Sequence, residues 1–306
     1  MHIYIKYVHK ISLSILNLLY LYGSKQEYTN YIHPRIMTKI KGNSVLITGG
    51  ASGIGRLMGR MALEKGARCL IIWDINEESI KQTKTEFQHL GRVEGFRVDV
   101  SDVECVQKQF KETVRVCGDV DIVINNAGIV TSNKTFENQT VSEIQRTMNI
   151  NAMAPMFVAQ QALPGMLARN KGHICNIASA AGMISNPKMS VYVASKWAVI
   201  GWSDSVRIEL HQAKKDIHIT TVAPYYINTG MFDGVESRFF PILKPEKTAR
   251  KIISAIEHNC DFKGIPWTFH FIRFMQGILP TSWFDTILGG WLGIYAAMDH
   301  FTGRKK

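Results

Sequence analysis

Short apolar runs alternate with long helical segments through most of this chain, and that alternation restricts the fold more than any other feature. Because parallel strands need a long crossover connection, a helix between successive strands predicts parallel pairing. The strands are apolar at nearly every position, so helices are expected on both faces of the sheet. We therefore predict an α/β fold with a doubly wound parallel sheet of about seven strands. The predicted strands are SVLIT (44–48), RCLIIW (68–73), VEGFRV (93–98), DIVI (121–124), HICNIA (173–178), HITTVA (218–223) and FKGIP (262–266).

Segments with helical periodicity fill the gaps between these strands. A hydrophobic content of 46% allows a large core, which excludes a disordered or collagen-like chain. The predicted helices cover 53–66, 77–90, 102–117, 140–169, 190–213 and 245–258. Three segments result: an N-terminal extension at 1–42, the α/β domain at 43–266 and an aromatic-rich C-terminal helical extension at 267–306.

The N-terminal extension contains the apolar stretch ISLSILNLLYLY at 11–22, after Lys6, His9 and Lys10, which resembles a signal peptide. It has no recognisable cleavage site, and it is shorter than the roughly 20 residues that span a bilayer. Three interpretations stay open: an interfacial anchor, a disordered extension, or upstream sequence joined by a wrong start assignment. In the third case the chain would start at Met37.

The positive charge of the chain, +11 overall, lies mainly near its ends. Residues 1–42 carry six Lys or Arg against one Glu, a net +5, and residues 261–306 add +2, which leaves +4 for the middle. That middle segment has no Lys/Arg run with interleaved aromatic residues, so we expect no nucleic-acid partner. Five widely spaced cysteines without C-x-x-C indicate reduced, intracellular thiols, and the histidine spacing predicts no metal site.

Glycine clusters where the first predicted strand meets the first predicted helix, in TGGASGIG at 48–55. Such a turn lets the backbone approach a pyrophosphate, which then lies at the positive N-terminus of the helix. Asp74 strengthens this weak signal, because it ends the second strand. A carboxylate at that place can accept hydrogen bonds from both ribose hydroxyls of an adenosine. The same carboxylate would repel a 2′-phosphate, so NAD is favoured and NADP is the less favoured cofactor. Arg56 is the one nearby cation that could offset this repulsion of a 2′-phosphate.

Two further groups of residues follow later strands. Asp99-Val100 comes after the third strand, and Asn125-Asn126-Ala127-Gly128 comes after the fourth. Open α/β sheets bind ligands at the carboxyl ends of their strands, so these residues are expected beside the adenosine ribose.

A Tyr-x-x-x-Lys pair, Tyr192 and Lys196, lies in the helix predicted at 190–213. The i to i+4 spacing places phenol and ammonium on one helix face. A nearby ammonium favours the phenolate, and lowering the pKa from about 10 toward neutrality corresponds to about 4 kcal/mol. We therefore predict that Tyr192 transfers a proton. The pair alone is common by chance.

Other motifs in the chain remove that ambiguity. Ser179, at the end of the fifth strand, lies 13 residues before Tyr192. TGGASGIG, NNAG, Ser179 and YVASK occur in the order found in the short-chain dehydrogenase/reductase family, which the chain resembles from residue 43 to about 260. The resemblance implies a single Rossmann-type domain. It also implies that substrate lies over the nicotinamide end of the cofactor.

The same resemblance implies a catalytic set. Tyr192 would be the general acid/base, Lys196 would lower its pKa and hold the nicotinamide ribose, and Ser179 would hydrogen-bond the substrate oxygen. Asn151 would support a water relay to the lysine, and the count back from the Leu163-Pro164 pair selects it over Asn149. The implied cofactor-binding residues are Gly49, Ser52, Gly53, Ile54, Gly55, Asp74, Asp99, Val100, Asn126, Ala127, Gly128, Tyr192, Lys196 and Thr229.

The chain departs from the family pattern after the sixth strand, where Tyr225 rather than glycine follows Pro224. Together with WDIN (73–76), SAAG (179–182) and LKPE (243–246), this resembles the branch of retinol, 17-beta-hydroxysteroid and long-chain alcohol dehydrogenases. Many members of that branch associate with membranes or lipid droplets.

The C-terminal extension, together with the strand before it, holds ten of the thirty aromatic residues. Phe271, Phe274, Met275, Ile278 and Leu279 recur at helical spacing, which predicts one apolar helix face, and a second helix is predicted after Ser282. This segment packs on the core or across a homodimer, lines an apolar substrate pocket, or contacts a membrane surface aided by the basic residues at 304–306.

These observations predict an NAD-dependent oxidoreductase that interconverts an apolar, lipid, retinoid or sterol-like alcohol and its carbonyl. The alternatives are a 3-oxoacyl carrier-protein reductase, which would use NADPH, and a non-catalytic NAD-binding sensor or scaffold. We expect an intracellular, cytoplasmic homodimer or homotetramer, with peripheral membrane contact as an open alternative.

Overall fold

The computed structural model describes residues 37–235, 237, 240–291, 294–298 and 301–303. The chain divides into two units, Met1–Met37 and Thr38–Lys306, and the architecture below is that of the second. The apolar stretch at 11–22 and the basic residues at 304–306 lie outside the described residues. Ile40 is buried in the core, so the folded unit already includes residues before the first strand.

Seven parallel strands form one sheet in the order β3-β2-β1-β4-β5-β6-β7. The chain thus winds outward from β1 to one edge and then from β4 to the other, which confirms the predicted doubly wound sheet. Every predicted strand forms, with ends shifted by no more than one residue. The strands are β1 (Ser44–Thr48), β2 (Cys69–Asp74), β3 (Val93–Arg97), β4 (Ile122–Asn125), β5 (Gly172–Ile177), β6 (Ile217–Pro224) and β7 (Phe262–Ile265).

Helices cover both faces of this sheet. Successive strand residues point to opposite faces, so Val45 and Ile47 lie in one core, whereas Leu46 lies in the other. The first core includes α1, α2 and α7, and the second includes α3, α5 and α6. The helices are α1 (Gly53–Glu64), α2 (Glu77–Phe87), α3 (Val103–Cys117), α4 (Val141–Met148), α5 (Ala154–Arg169), α6 (Ser190–Gln212), α7 (Pro245–Glu257), α8 (Thr268–Ile278) and α9 (Thr281–Asp285).

Local side-chain caps set several helix starts. The Asp102 carboxylate accepts from the backbone N–H of Glu104 (2.9 Å) and Cys105 (3.1 Å), which begins α3. Thr140 and Glu143 form a reciprocal capping box at the start of α4. These caps satisfy N–H groups that have no partner within the helix.

A π-helical turn, Asn149–Met153, separates α4 from α5. The prediction of a single helix over 140–169 is therefore wrong in this detail. The apolar periodicity of a sequence does not reveal the one extra residue in a π-helical turn. The turn buries Asn151 and leaves Asn149 exposed.

The C-terminal segment packs on the domain through part of its apolar surface. Phe269 and Ile272 of α8, and Phe284 of α9, are buried. The predicted second helix begins at Thr281 rather than after Ser282, and a π-helical turn, Thr286–Trp291, follows it. None of the helices in the described part of the chain has the length and apolarity needed to cross a bilayer.

The predicted apolar face of α8 is mostly exposed rather than packed. Phe271, Phe274 and Ile278 are 57%, 60% and 60% exposed. Met275 and Leu279 are partly buried against the core. The helix thus has apolar residues on two sides, and the spacing alone did not show which side contacts the domain.

Candidate active site

The glycine-rich turn closes tightly between β1 and α1. Gly49 and Gly53 have positive φ angles of 63° and 53°, which side chains rarely adopt. A Cβ atom on Gly55 would lie 2.2 Å from the carbonyl oxygen of Gly49, so only glycine allows this approach. Ser52 stands at the N-terminus of α1, and its side chain does not cap the first-turn N–H groups, which is the arrangement expected for a phosphate site.

Asp74 and Asn126 hold this turn from the two neighbouring strands. The Asp74 carboxylate accepts from the backbone N–H of Ala51 (3.1 Å) and of Asn76 (3.1 Å). The Asn126 amide donates to the carbonyl oxygens of Thr48 (3.0 Å) and Gly49 (3.1 Å). Both side chains therefore shape the turn as well as standing at the edge where a ligand would bind.

One cavity at the carboxyl edge of the sheet brings most of the predicted site residues together. Thr229 lies across from the turn, and its Cβ would be 3.9 Å from a Cβ built on Gly53. The predicted residues that line the cavity are Gly49, Ser52, Gly53, Ile54, Asn126, Ala127, Gly128, Ser179, Tyr192, Lys196 and Thr229.

Five predicted residues do not line this cavity. Gly55 packs against the carbonyl oxygen of Gly49, the Asp74 carboxylate accepts from the Ala51 N–H, and the Asn151 side chain faces Gly128. Val100 is buried, and the Asp99 carboxylate accepts from the Ser101 backbone N–H at 3.0 Å. For Asp99 and Val100, contact with a cofactor therefore stays a prediction.

Ser179, Tyr192 and Lys196 converge because β5 ends beside the first turns of α6. The hydroxyl of Ser179 is hydrogen-bonded to the phenol of Tyr192. The Lys196 ammonium lies 5.8 Å from the centre of the Tyr192 ring and donates to the carbonyl oxygen of Ile177 at 3.0 Å. All three groups thus meet at one wall of the cavity.

Asn151 is fixed next to this wall by its own hydrogen bonds. Its amide accepts from the N–H of Ile129 (2.8 Å) and donates to the carbonyl of Ile129 (2.9 Å). A Cβ on Gly128 would lie 3.4 Å from the Asn151 oxygen and 3.6 Å from the Lys196 nitrogen. Asn151 and Lys196 therefore both face Gly128.

The protonation of the pair differs from the sequence-based expectation. Burial raises the pKa of Tyr192 to about 12, although the hydrogen bond with Ser179 acts in the opposite direction. Burial also lowers the pKa of Lys196 to about 8. The predicted lowering of the tyrosine pKa is therefore wrong for this structure, because the sequence argument counted the charge of the lysine and not the desolvation of both groups.

The far end of the cavity is apolar and aromatic, and the sequence reasoning identified only the contribution of the C-terminal segment to it. Tyr192 packs edge-to-face on Phe232, which packs in the same way on Tyr226. Two signals pointed to this apolar end: the departure from glycine after Pro224, and the predicted alternative that the C-terminal segment lines an apolar pocket, to which Phe269 and Ile294 contribute. The lining residues at this end include Ile184, Asn186, Met189, Tyr225, Tyr226, Phe232, Phe269 and Ile294.

Comparison with known proteins identifies the family of this chain. A family profile described as short chain dehydrogenase matches residues 43–238. The chain belongs to the short-chain dehydrogenase family. Epidermal retinol dehydrogenase 2 from Mus musculus is 36% identical over 273 residues, which cover 87% of each chain. Estradiol 17-beta-dehydrogenase 11 from Homo sapiens is 32% identical over 84% of this chain and 86% of its own.

A solved structure supports the fold of this short-chain dehydrogenase. It is a short chain dehydrogenase/reductase from Burkholderia phymatum in complex with NAD, with a TM-score of 0.72 and 23% identity. The match covers 79% of this chain and 95% of that one. The predicted fold is thus confirmed both by the strand order and by a solved relative.

Proposed function

We propose that this short-chain dehydrogenase is an NAD-dependent oxidoreductase that interconverts an apolar alcohol and its carbonyl. The observation that supports this proposal most strongly is that Ser179, Tyr192 and Lys196 meet in one cavity whose far end is apolar and aromatic. Relatives named as retinol and estradiol dehydrogenases support a retinoid, sterol-like or lipid substrate.

The residues present fit a dinucleotide. The N–H groups of Gly49, Gly50 and Ala51 already donate within the protein, whereas Ser52 does not cap the first turn of α1, so the N–H groups there are the ones that would meet a phosphate. These groups and Ser52 would hold the pyrophosphate, Asp74 the adenosine ribose, and Thr229 and Lys196 the nicotinamide end. NAD, when bound, supplies the nicotinamide that accepts or gives the hydride.

In the proposed mechanism, Ser179 donates a hydrogen bond to the substrate oxygen while Tyr192 transfers the proton. With a pKa of about 12, Tyr192 is protonated at neutral pH and ready to donate a proton during carbonyl reduction. Alcohol oxidation requires the phenolate first. A protonated Lys196 close to the ring favours that phenolate, and Asn151 keeps the surrounding backbone in position.

Cofactor choice is expected to depend on the charge of Asp74. Asp74→Asn removes the negative charge but keeps one oxygen to accept from the turn, so NADPH binding should improve relative to NADH. Titration of intrinsic fluorescence with each nucleotide measures both dissociation constants. Equal affinity of the native protein for NADH and NADPH would refute this role.

A panel of retinol, estradiol and long-chain alkan-1-ols, incubated with NAD and followed by NADH fluorescence, tests the proposed reaction. Turnover of these alcohols supports it. Preference for NADPH and a 3-oxoacyl thioester would favour the alternative 3-oxoacyl carrier-protein reductase. NADH binding without turnover of any alcohol or carbonyl would favour the alternative sensor or scaffold role.

We also propose peripheral membrane contact through the C-terminal segment. Trp267 immediately before α8 and Trp283 in α9 are 74% and 64% exposed, in addition to the exposed apolar side chains of α8 itself. Tryptophan rings and such apolar side chains partition into the interfacial region of a bilayer. The chain should float with anionic liposomes, and Phe271→Ser/Phe274→Ser should weaken flotation. Equal recovery of both proteins in the soluble fraction would contradict this contact and favour a homodimer or homotetramer interface instead.

A further inference from the structure

Two polar side chains meet inside the apolar end of the cavity. Asn186 lies in the loop between β5 and α6, and Tyr226 follows β6. The Asn186 amide nitrogen donates to the Tyr226 hydroxyl at 3.1 Å. Both residues line the cavity that also contains Ser179 and Tyr192.

The amide oxygen of Asn186 is buried without a hydrogen-bond partner among the described residues. Asn186 is only 9% exposed. Buried polar atoms in folded proteins are nearly always paired, and an unpaired one costs stability. The oxygen is covered in the structure, but Asn186 lines the cavity, so a bound molecule that reaches this oxygen would supply the missing partner.

The pair offers both a donor and an acceptor whichever way the amide is turned. In the observed orientation the Asn186 oxygen accepts and the Tyr226 hydroxyl still has its proton to donate. With the amide turned over, the nitrogen donates and the phenol oxygen accepts. In both cases the complementary group is one that donates and accepts together, which describes a hydroxyl.

The surroundings keep this pair neutral. Burial raises the pKa of the Tyr226 phenol, with smaller contributions from Tyr225 and Tyr192, so it stays protonated. Its neighbours include the apolar rings of Tyr225 and Phe232, with centre-to-centre distances of 4.6 and 5.0 Å. The pair thus forms a polar spot in an otherwise apolar wall.

We infer that Asn186 and Tyr226 bind a second hydroxyl group of the substrate. The reacting oxygen is assigned to Ser179 and Tyr192, so the substrate is an apolar alcohol or carbonyl compound that carries an additional hydroxyl. This inference rests on the proposed function, and it makes the two residues determinants of specificity rather than catalytic residues.

Two series of probes of increasing chain length test it, the alkan-1-ols and the matching α,ω-alkanediols. The rate constant kcat/KM with NAD is measured for each pair in the native protein and in Asn186→Leu, which has a similar volume. The diol to mono-ol ratio should peak at one chain length in the native protein. At that length it should fall by about tenfold or more in the variant, mainly through KM, because the substrate hydroxyl loses its partner.

Two further variants separate the polar pair from the general shape of the wall. Tyr226→Phe removes the other partner and should lower the same ratio. Tyr225→Phe is the matched control, because the Tyr225 hydroxyl is already hydrogen-bonded to Ser237 at 3.1 Å. The control should leave the ratio unchanged.

An equal ratio in the native protein and Asn186→Leu at every chain length would overturn the inference while leaving the proposed reaction standing. A rise of about fivefold or more in the NADH dissociation constant of Asn186→Leu would also overturn it, because Asn186 would then serve the cofactor. If no alcohol is oxidised, the proposed function fails separately. The same ratios are then read from dissociation constants of the probes for the NADH-loaded protein, with the same two outcomes.

Discussion

Gly55 is the position where the glycine-rich turn tolerates least change, and Gly55→Ala should both destabilise the domain and weaken cofactor binding. The added Cβ would lie 2.2 Å from the Gly49 carbonyl oxygen and 2.6 Å from the Asn126 amide nitrogen. The first contact is with backbone, so the turn itself must move. Moving it also disturbs the hydrogen bond from Asn126 to Gly49.

The expected cost follows from these two effects. Inserting a methyl group into a packed site costs about 1–3 kcal/mol, and a lost hydrogen bond adds about 1 kcal/mol. At about 2–4 °C per kcal/mol for a domain of this size, the Tm should fall by about 4–16 °C. NADH affinity should fall as well, because the displaced N–H groups are those proposed to hold the pyrophosphate.

Thermal unfolding followed by circular dichroism, with and without NADH, measures both effects. Gly201→Ala is the matched control, because Gly201 lies within α6 and a Cβ there would meet no atom within 4 Å apart from the adjacent backbone of its own helix. That change should raise stability by about 0.5–1 kcal/mol through helix propensity. A Gly55→Ala protein with native Tm and native NADH affinity would refute the packing argument.

Two further outcomes are expected. Tyr192→Phe should lower kcat by at least about 10²-fold while NADH affinity stays native, because the phenol transfers a proton and the turn holds the cofactor; near-native turnover would assign the proton to another group. Burial lowers the pKa of His173 to about 3, so below its ordinary value of about 6.5 the unfolded chain binds a proton that the folded chain does not. Stability should therefore fall by about 2 kcal/mol between about pH 6.5 and about pH 5 in urea titrations, and His173→Gln should reduce that loss.

The local sequence determined the sheet and the family motifs. Strands such as β1 and β2 are apolar at every position except Ser44, Thr48 and Asp74 at their ends, because both of their faces are buried. The pattern is therefore visible without any long-range information. The glycines at 49 and 53 are likewise readable, because a tight turn with positive φ requires them. The spacing of Ser179, Tyr192 and Lys196 identifies them as one set of site residues. It does not determine the protonation states of the tyrosine and the lysine.

Only the tertiary structure decided the properties that depend on which residues surround a group. Burial raises the pKa of Tyr192, and the hydrogen bond with Ser179 does not offset that rise. Asn186 and Tyr226, 40 residues apart, become a pair only when β5 and β6 lie side by side. The sequence also could not predict which side of α8 is exposed. Apolar residues lie on both of its faces, and their local spacing does not indicate which face contacts the core.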